Sequence, residues 1–429
     1  MNTLNPKNMI SKRHTALLAG FIGNVIEWYD FALYGYMASI IAQLFFPNEN
    51  QTASLLATYG VFAAGFIMRP LGSALYGWIG DTAGRSKAMM ISVVTMSMPT
   101  ILIGVLPTFD AIGVFAPVAL IAIRLLQGLS VGGEFTSSVV YMVETADTDR
   151  RGISGSWANT GSMFGMLLGS GVAALLTSIL SHDAVISWGW RLPFLFGGVL
   201  GITAIFLRRN LPKSEHFQKH HNERSDTSPL VEAFTENKKE MLQATAIASS
   251  YGVLFYIPLV YLPTWLNNEF DVPLSQAMTV NTFATAFLLL LIPMAGKISD
   301  KYIRRTHFIA LAMFVSAIVS WPAYYFLADK GLVGVISLNL IFIVIISIML
   351  GSAPATFVEL FPSRDRLSGY SVAYNMGLGV VGGATPMLST WLIEKTGIIT
   401  APAIFLSVMS VMAFAVALAI KDRSREKLQ

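Results

Sequence analysis

Long hydrophobic runs separated by short polar segments form the dominant pattern along this chain. About 20 consecutive apolar residues suffice for a helix to cross the hydrocarbon core of a bilayer, and twelve runs approach or exceed that length. The pattern therefore predicts an all-α integral membrane protein with twelve transmembrane helices. The predicted helices cover residues 14–45, 53–79, 88–106, 112–143, 153–180, 188–207, 241–266, 274–294, 308–327, 334–358, 370–391 and 399–420.

Positively charged residues lie mainly on one side of these helices. They concentrate in the two tails and in the segments that follow even-numbered helices, whereas the opposite loops hold only Lys330 and Lys395. Loops rich in Lys and Arg stay on the cytoplasmic side of a membrane. We therefore expect both termini to be cytoplasmic.

Two short sequences recur at equivalent positions in the two halves. GWIGDTAGRSK at 77–87 is echoed by GKISDKYIRRT at 296–306, and VETADTDRRG at 143–152 is echoed by VELFPSRDRLSG at 358–369. Matched pairs at equivalent topological positions indicate a duplicated six-helix unit, as in transporters that rock about a central site.

The repeat divides the chain into two pseudo-symmetric bundles. We predict an N-terminal six-helix bundle over 1–207 and a C-terminal bundle over 241–429 that ends in a short cytoplasmic tail. The polar stretch 208–240 between them is predicted to be a cytoplasmic linker.

The composition supports a membrane protein and excludes several other classes. Hydrophobic residues make up 54% and charged residues 13% of the chain, about half the charge of an average soluble domain. The absence of cysteine excludes disulfides and thiol chemistry. The net charge of +4 is spread over many loops, which does not indicate a nucleic-acid partner. No histidine set has metal-ligand spacing and no phosphate-binding GxxxxGK[ST] loop is present, so we expect neither a metal nor an organic cofactor.

Two acids lie in the first predicted helix, within GNVIEWYDFALYGY at 23–36. Glu27 and Asp30 are three positions apart and hence on nearly the same helical face. Ionisable groups inside a membrane usually face a water-filled cavity or the protein interior. At 1.5 Å per residue, Asp30 lies about 24 Å and Arg124 about 28 Å from the inner ends of their helices, near one level.

A second pair is predicted below the first. Arg69 lies about 15 Å and Glu134 about 14 Å from the inner ends of their helices. Glu27 lies between the two levels and has no evident partner. Fixed salt bridges joining helices are the alternative for both pairs.

This clustering suggests proton exchange. Two nearby acids in a medium of low dielectric constant bind protons more readily, whereas an adjacent arginine has the opposite effect. We hypothesise that Glu27 and Asp30 hold a coupling proton while Arg124 modulates their affinity and offers a bidentate site for an anionic group.

Several of these segments resemble the major facilitator superfamily. GxxGDxxGRxK at 77–87, its copy at 296–306 and RLLQG at 124–128 are similar to its signature motifs. Together with FIMRPLG, LSVGGEF and WGWRLPF, they resemble its metabolite:proton symporter group, which includes proline/betaine, α-ketoglutarate, citrate and shikimate permeases. The resemblance covers essentially the whole chain and implies a monomeric protein of the bacterial inner membrane.

The resemblance also implies a cytoplasmic gate at the repeated loop motif. Its charged residues would bond neighbouring helix ends in one conformation and release them in another. In the second copy Ile303 and Thr306 replace the Gly and Lys of the pattern. The candidate gate residues are Asp81, Arg85, Asp300 and Arg304.

Aromatic and amide side chains are candidates for binding the solute. Pro258 and Pro263 interrupt the seventh helix, as in helices that line transporter cavities, and aromatic faces bind quaternary ammonium groups. Anchoring at the lipid interface and interhelical hydrogen bonds are the alternatives. The candidates are Tyr34, Arg124, Tyr251, Tyr256, Tyr261, Trp265, Asn281, Tyr374 and Asn375.

The resulting expectation is a secondary active transporter, not an enzyme, that takes up a small polar organic solute with protons by alternating access. The solute would be a zwitterion such as proline or betaine, or a mono- to tricarboxylate. One alternative is a proton-driven exporter or exchanger of a larger carboxylate metabolite. A membrane sensor that binds solute without transporting it is an alternative of another class.

Overall fold

All regular secondary structure in the described part of the chain is helical. The structure is a computed structural model and describes residues 6–49, 51–209, 211 and 228–428. Of the predicted linker 208–240, residues 210 and 212–227 lie outside the described residues. Within these limits, the helical class predicted from the hydrophobic pattern is confirmed.

Helices α1 to α9 form the part of the chain that precedes the linker. A π-helical turn, Val185–Gly189, leads into the last of them. Their bounds are α1 (Pro6–Tyr36), α2 (Ala38–Phe45), α3 (Gln51–Ala83), α4 (Arg85–Val105), α5 (Phe109–Ile112), α6 (Phe115–Glu144), α7 (Arg151–Ile179), α8 (His182–Ala184) and α9 (Arg191–Arg208).

Helices α10 to α18 form the rest of the described chain, and α10 lies within the predicted linker 208–240. The π-helical turns Ile257–Tyr261 and Asn375–Gly382 join α11 to α12 and α16 to α17. The bounds are α10 (Pro229–Thr235), α11 (Lys238–Tyr256), α12 (Leu262–Phe270), α13 (Leu274–Lys301), α14 (Arg305–Leu327), α15 (Gly331–Leu360), α16 (Arg366–Tyr374), α17 (Gly383–Thr396) and α18 (Ala401–Ala419).

The described helices account for the twelve predicted membrane spans. Ten described segments are long and apolar enough to cross a bilayer. The first two predicted spans correspond to α1 with α2, which meet at Met37, and to α3. The seventh and eleventh spans are each built from two helices joined by a π-helical turn.

The chain divides into two compact units. The first contains Met1–Thr145 and Thr160–Arg224, and the second contains Ala146–Asn159 and Ser225–Gln429. The first turns of α7 therefore belong to the second unit. The bundle limits at residues 207 and 241 stay a prediction.

Within the first unit, glycines allow α3 and α6 to pack backbone against backbone. A Cβ added at Gly132 would lie 2.7 Å from Ser73 N and would overlap the carbonyl oxygen of Arg69. A Cβ at Gly128 would lie 2.9 Å from Gly65 Cα and would overlap the Gly65 carbonyl oxygen. This close approach fixes the separation of the two helices that carry the candidate arginines.

An asparagine satisfies a carbonyl that a proline leaves without its usual donor. Pro354 lies inside α15 and has no N–H, so the carbonyl of Leu350 lacks the helical donor four residues later. Asn159 Nδ2 donates to this oxygen at 2.7 Å, within the second unit. A buried polar group in a membrane protein needs such a partner.

The glycine packing generates a stability prediction. Gly132→Ala should destabilise the protein by about 1–3 kcal/mol, since the added methyl group forces backbone apart. Gly171→Ala is the matched control, because no heavy atom of the described chain lies within 4 Å of its added Cβ. Thermal unfolding of both variants in detergent measures the difference. Equal melting temperatures for the two variants would contradict the proposed role of the α3–α6 contact.

Candidate functional site

A small charged cavity lies among α1, α3 and α6 of the first unit. Its free space is about 20 Å³, which suffices for a single water molecule. The cavity is lined by Glu27, Asp30, Phe31, Gly65, Phe66, Arg69, Arg124, Gln127, Gly128 and Val131.

Asp30 and Arg124 form an ion pair at one side of this cavity. Arg124 Nη1 lies 2.9 Å from Asp30 Oδ2, and both side chains are buried. The two residues, predicted from helix geometry to lie near one level, are therefore in direct contact. The guanidinium of Arg124 also lies 4.1 Å from the centre of the Tyr34 ring, and Tyr34 donates to the Thr58 carbonyl at 3.3 Å. Tyr34 is thus held beneath the arginine.

Two further side chains close a ring of hydrogen bonds around this ion pair. Thr100 Oγ1 donates to Asp30 Oδ1 at 2.9 Å, and Gln127 Nε2 donates to Thr100 Oγ1 at 2.9 Å. Arg124 Nη1 donates to Gln127 Oε1 at 2.7 Å. The four side chains come from α1, α4 and α6, so the ring joins three helices.

Glu27 and Arg69 line the same cavity without forming such a pair. Glu27 is 4% exposed, and its Oε2 has no hydrogen-bond partner among the described residues. Arg69 is 5% exposed, and its guanidinium lies 4.2 Å from the centre of the Phe66 ring and 5.5 Å from that of Phe31. Within the described part of the chain, Arg69 contacts aromatic faces and forms no salt bridge.

The predicted pairing of Arg69 with Glu134 is wrong. Glu134 accepts from Arg208 Nη1 at 2.9 Å, from Arg208 Nη2 and from Ser92 Oγ. Arg208 also donates to the carbonyls of Ala19 and Met89. Its long side chain reaches from the end of α9 into the unit, which a count of positions along straight helices does not reveal. The partners of Glu134 are therefore Arg208 and Ser92, and its predicted part in proton coupling stays a prediction.

The first predicted gate motif forms a buried charge cluster in the first unit. Arg85 Nη1 lies 2.5 Å from Asp81 Oδ1, and Arg85 Nη2 lies 3.3 Å from Glu144 Oε1. Arg85 is the first residue of α4, and Gly84 before it has a φ of 105°. Glycine tolerates this backbone conformation, so a single residue turns the chain between α3 and α4.

In the second gate motif, the arginine that pairs with the aspartate lies one position later than the sequence alignment predicted. Asp300 pairs with Arg305, whereas Arg304 is exposed. Three residues, 302–304, separate α13 from α14, because Ile303 does not supply the sharp glycine turn of the first copy. Arg305 is the first residue of its helix, as Arg85 is of α4.

Asp300 also binds the beginning of α7 within the second unit. Its two oxygens accept from Gly152 N at 2.7 Å and Ile153 N at 2.8 Å. A carboxylate is favourable at this position, since the first N–H groups of a helix lack intrahelical partners. Glu359 Oε1 then lies 2.5 Å from Arg305 Nη1 and 3.0 Å from Arg151 Nη1.

Residues after α18 pack against this second cluster. Arg151 Nη2 donates to the Ser424 carbonyl at 3.1 Å and to the Glu426 carbonyl at 2.7 Å. Asp422 accepts from Thr306 N at 3.0 Å. Burial alone would raise the pKa of Asp422, but hydrogen bonds from Ser424 and Thr306 outweigh it and lower that pKa.

Aromatic candidates of the second unit form one buried group. The rings of Tyr251 and Tyr374 lie 6.2 Å apart, and Tyr374 lies 5.5 Å from Tyr370. Tyr251 donates to Asn159 Oδ1 at 3.2 Å. Tyr256 is buried one turn beyond Tyr251, and its ring would be met by a Cβ placed on Gly382.

The remaining candidates make structural contacts. Trp265 Nε1 donates to the Ile399 carbonyl at 2.9 Å, and Tyr261 accepts from Thr390 at 3.3 Å. Asn375 Nδ2 donates to its own helix, at the carbonyl of Ser371.

Asn281 fills a gap in the hydrogen bonding of the seventh span. Asn281 Nδ2 donates at 2.9 Å to the carbonyl of Leu259, which Pro263 leaves without a helical donor. Interhelical hydrogen bonding, the alternative considered for this residue, thus accounts for its position.

Three residues of the buried polar network were not among the sequence candidates. Gln127 lies three positions after Arg124 on the same helical face, and this spacing was a usable signal. Thr100 gives no comparable signal, because a threonine in an apolar helix commonly bonds its own backbone. Arg208 was assigned to a cytoplasmic loop, although its side chain is buried.

Comparisons with known proteins identify related sequences over nearly the whole chain. A family model described as sugar (and other) transporter matches residues 15–253, and one described as Major Facilitator Superfamily matches 245–429. The proline/betaine transporter of Salmonella typhimurium is 31% identical, over 97% of this chain and 85% of its own length. The glycine betaine/proline/ectoine/pipecolic acid transporter of Dickeya dadantii is 31% identical, over 96% and 84%. The ectoine/proline transporter of Corynebacterium glutamicum is 30% identical, over 100% and 87%.

Solved structures share the fold at lower sequence identity. The proton:xylose symporter XylE bound to 6-bromo-6-deoxy-D-glucose has a TM-score of 0.81 and 17% identity, over 97% of this chain and 98% of its own. The human organic anion transporter MFSD10 has a TM-score of 0.70 and 12% identity, over 94% and 99%. Because curated relatives at about 30% identity extend over nearly all of its length, this chain belongs to the major facilitator superfamily of membrane transporters.

Proposed function

We propose that this transporter takes up a small zwitterion, such as proline or a betaine, together with protons. The balanced charge of the cavity carries this proposal, since two acids, Glu27 and Asp30, and two arginines, Arg69 and Arg124, line it. A zwitterion adds no net charge to such a site. A tricarboxylate would bring several negative charges that the cavity leaves uncompensated, at a high cost in desolvation.

The names of the relatives support the same class of solute. The three relatives described above are named as transporters of proline, betaine or ectoine. Each of these compounds joins a carboxylate to a cationic nitrogen centre in one small molecule. This class of solute fits a cavity that offers both charges.

Asp30 and Glu27 exchange the coupling proton in this proposal. Protonation of Asp30 removes the charge that neutralises Arg124 at 2.9 Å. Among the described residues, one carboxylate oxygen of Glu27 has no hydrogen-bond partner, and it lies beside free space of the size of one water. A carboxyl group in this position can receive a proton from water without breaking an existing bond.

Arg69 binds the carboxylate of the solute in this proposal. Its guanidinium is fixed against two phenylalanine rings, and within the described residues it is not engaged by a carboxylate. Arginine matches a carboxylate with two parallel hydrogen bonds. The free space is smaller than a proline molecule, so binding requires a conformation in which the cavity opens. Arg124 is less free to bind, since Asp30, Gln127 and Tyr34 already contact it.

The same proposal includes alternating access and a cytoplasmic gate. The clusters around Arg85 and around Arg305 would form and break as the site becomes accessible from alternate sides. The positions of Lys and Arg support cytoplasmic termini, and the bacterial relatives support a bacterial inner membrane. We further propose that the monomer is the transporting unit.

Uptake by purified protein in proteoliposomes tests the function. Labelled proline and glycine betaine should accumulate when the outside is more acidic, and collapse of the pH gradient should abolish accumulation. For one proton per solute, one pH unit supplies about tenfold accumulation. Citrate is the comparison for the carboxylate class. Accumulation that ignores the gradient, or that favours citrate, would reject the proposal.

Neutralising Glu27 should separate binding from coupling. Glu27→Gln should lose accumulation under the pH gradient yet retain counterflow, the exchange of labelled for unlabelled solute. Its melting temperature should stay near that of the parent, because the substituted Oε2 makes no hydrogen bond among the described residues. Glu394→Gln, at an exposed position outside the cavity, is the control. Gradient-driven accumulation by Glu27→Gln at the parental level would contradict a coupling role.

Substitutions at Arg69 should weaken binding of the solute rather than coupling to the proton. Loss of a hydrogen bond to a charged group costs about 1.5–3 kcal/mol, so Arg69→Gln should raise KM for proline by about 10- to 100-fold. Arg69→Lys keeps the charge but loses the planar fork, and an intermediate KM is expected. Initial uptake rates over a range of solute concentrations give KM and kcat. A fall in kcat at unchanged KM would place Arg69 outside the solute site.

A further inference from the structure

The hydroxyl group of Thr100 has one hydrogen and two acceptors within reach. Thr100 Oγ1 lies 2.9 Å from Asp30 Oδ1 and 3.0 Å from the carbonyl oxygen of Met96. It also accepts a hydrogen bond from Gln127 Nε2 at 2.9 Å. A hydroxyl donates once and accepts twice, so its hydrogen points to either Asp30 or Met96 but not to both.

We propose that Thr100 is a positioning residue. It allows the buried ring of hydrogen bonds to hold Asp30 in either protonation state. Its hydrogen points to Asp30 Oδ1 when that carboxylate is ionised and turns to the Met96 carbonyl when Asp30 carries the proton. This inference rests on the proposed function, in which Asp30 exchanges the coupling proton. Gln127 fixes the position of the hydroxyl oxygen in both states.

The hydrogen bonds balance in the two states. With Asp30 ionised, Oδ1 accepts from Thr100 and Oδ2 accepts from Arg124. When water delivers a proton to Oδ1, the new O–H donates to Thr100 Oγ1, which already accepts from Gln127 and has a second lone pair. The hydroxyl hydrogen then bonds the Met96 carbonyl. Each hydrogen bond that Asp30, Thr100 and Gln127 exchange thus has a donor and an acceptor in both states, and Arg124 loses the negative charge of its partner.

Other charged and titratable groups around Asp30 come from its own helix and from α3 and α6. From α3 and α6, Arg69 and Arg124 line the cavity with it. On its own helix Glu27 lines the same cavity, Tyr34 lies under Arg124, and Tyr29 donates to the Pro193 carbonyl at 2.7 Å.

On the packed helix α9, the two arginines are bound elsewhere. Arg208 binds Glu134, and Arg191 Nη1 donates to the carbonyls of Gly104 and Leu106 at 3.1 and 2.8 Å. From α4, Thr100 supplies the hydroxyl in contact with Asp30. The two-acceptor geometry therefore singles out Thr100 as the group that responds to the proton.

Replacement of the hydroxyl by a methyl group tests this inference. Thr100→Val keeps the shape of the side chain but removes a hydrogen bond to the ionised carboxylate. The pH at which proton-coupled glycine betaine uptake is half-maximal should therefore rise by about one unit. Thr100→Ser restores the hydroxyl and should restore the parental pH profile. A pH-indicator dye, recording proton uptake by the purified protein on addition of glycine betaine, measures the same midpoint independently.

The outcomes separate this inference from the proposed function. If Thr100→Val, Thr100→Ser and the parent share one pH midpoint while Asp30→Asn loses coupling, the role of Thr100 is wrong and the proposed function stands. If Asp30→Asn keeps full coupling, the proposed site of the proton is wrong, and the role of Thr100 fails with it. Should Thr100→Val not fold, Thr100→Ala removes the same hydroxyl with less steric demand and gives the same comparison.

Discussion

Charges buried within the membrane-spanning part of a protein must be neutralised and hydrogen-bonded, and this constraint organises the first unit. Asp30 with Arg124 joins α1 to α6, and Glu134 with Arg208 joins α6 to α9. The second pair is saturated by further bonds from Ser92 and to two backbone carbonyls. This pair links α6 to α9, and both of its side chains are buried. At the cavity this requirement is met less completely, since Glu27 Oε2 has no hydrogen-bond partner among the described residues.

Helix packing determines where these charges meet. Glycines at 128 and 132 bring α6 against the backbone of α3, which places the side chains of Arg69 and Arg124 on one cavity. Prolines have a complementary effect, because each removes a backbone donor, and at two of them another side chain supplies the hydrogen bond. Asn159 and Asn281 do so for Leu350 and Leu259. Part of the polar content of these spans thus maintains helices and is not free for a solute.

The sequence predicted the helical class, the twelve spans and the contact of Asp30 with Arg124, because hydrophobic length and rise per residue are local properties. It did not predict that Glu134 contacts Arg208, since the reach of a long side chain depends on how helices tilt and pack. The assignment of Arg304 failed for a related reason. An alignment without gaps conceals the one extra residue between Asp300 and Arg305 that shifts the pairing from Arg304 to Arg305. Thr100 enters the site through packing alone.

The contact of Arg151 with the chain after α18 has a consequence for sequence variation. Arg151 binds the carbonyl oxygens of Ser424 and Glu426 rather than their side chains. A carbonyl is common to all residue types, so this docking depends on the path of the backbone and hardly on the residues that follow it. Homologous tails could therefore diverge in sequence at 424 and 426 and still dock, whereas an inserted or deleted residue would break the register.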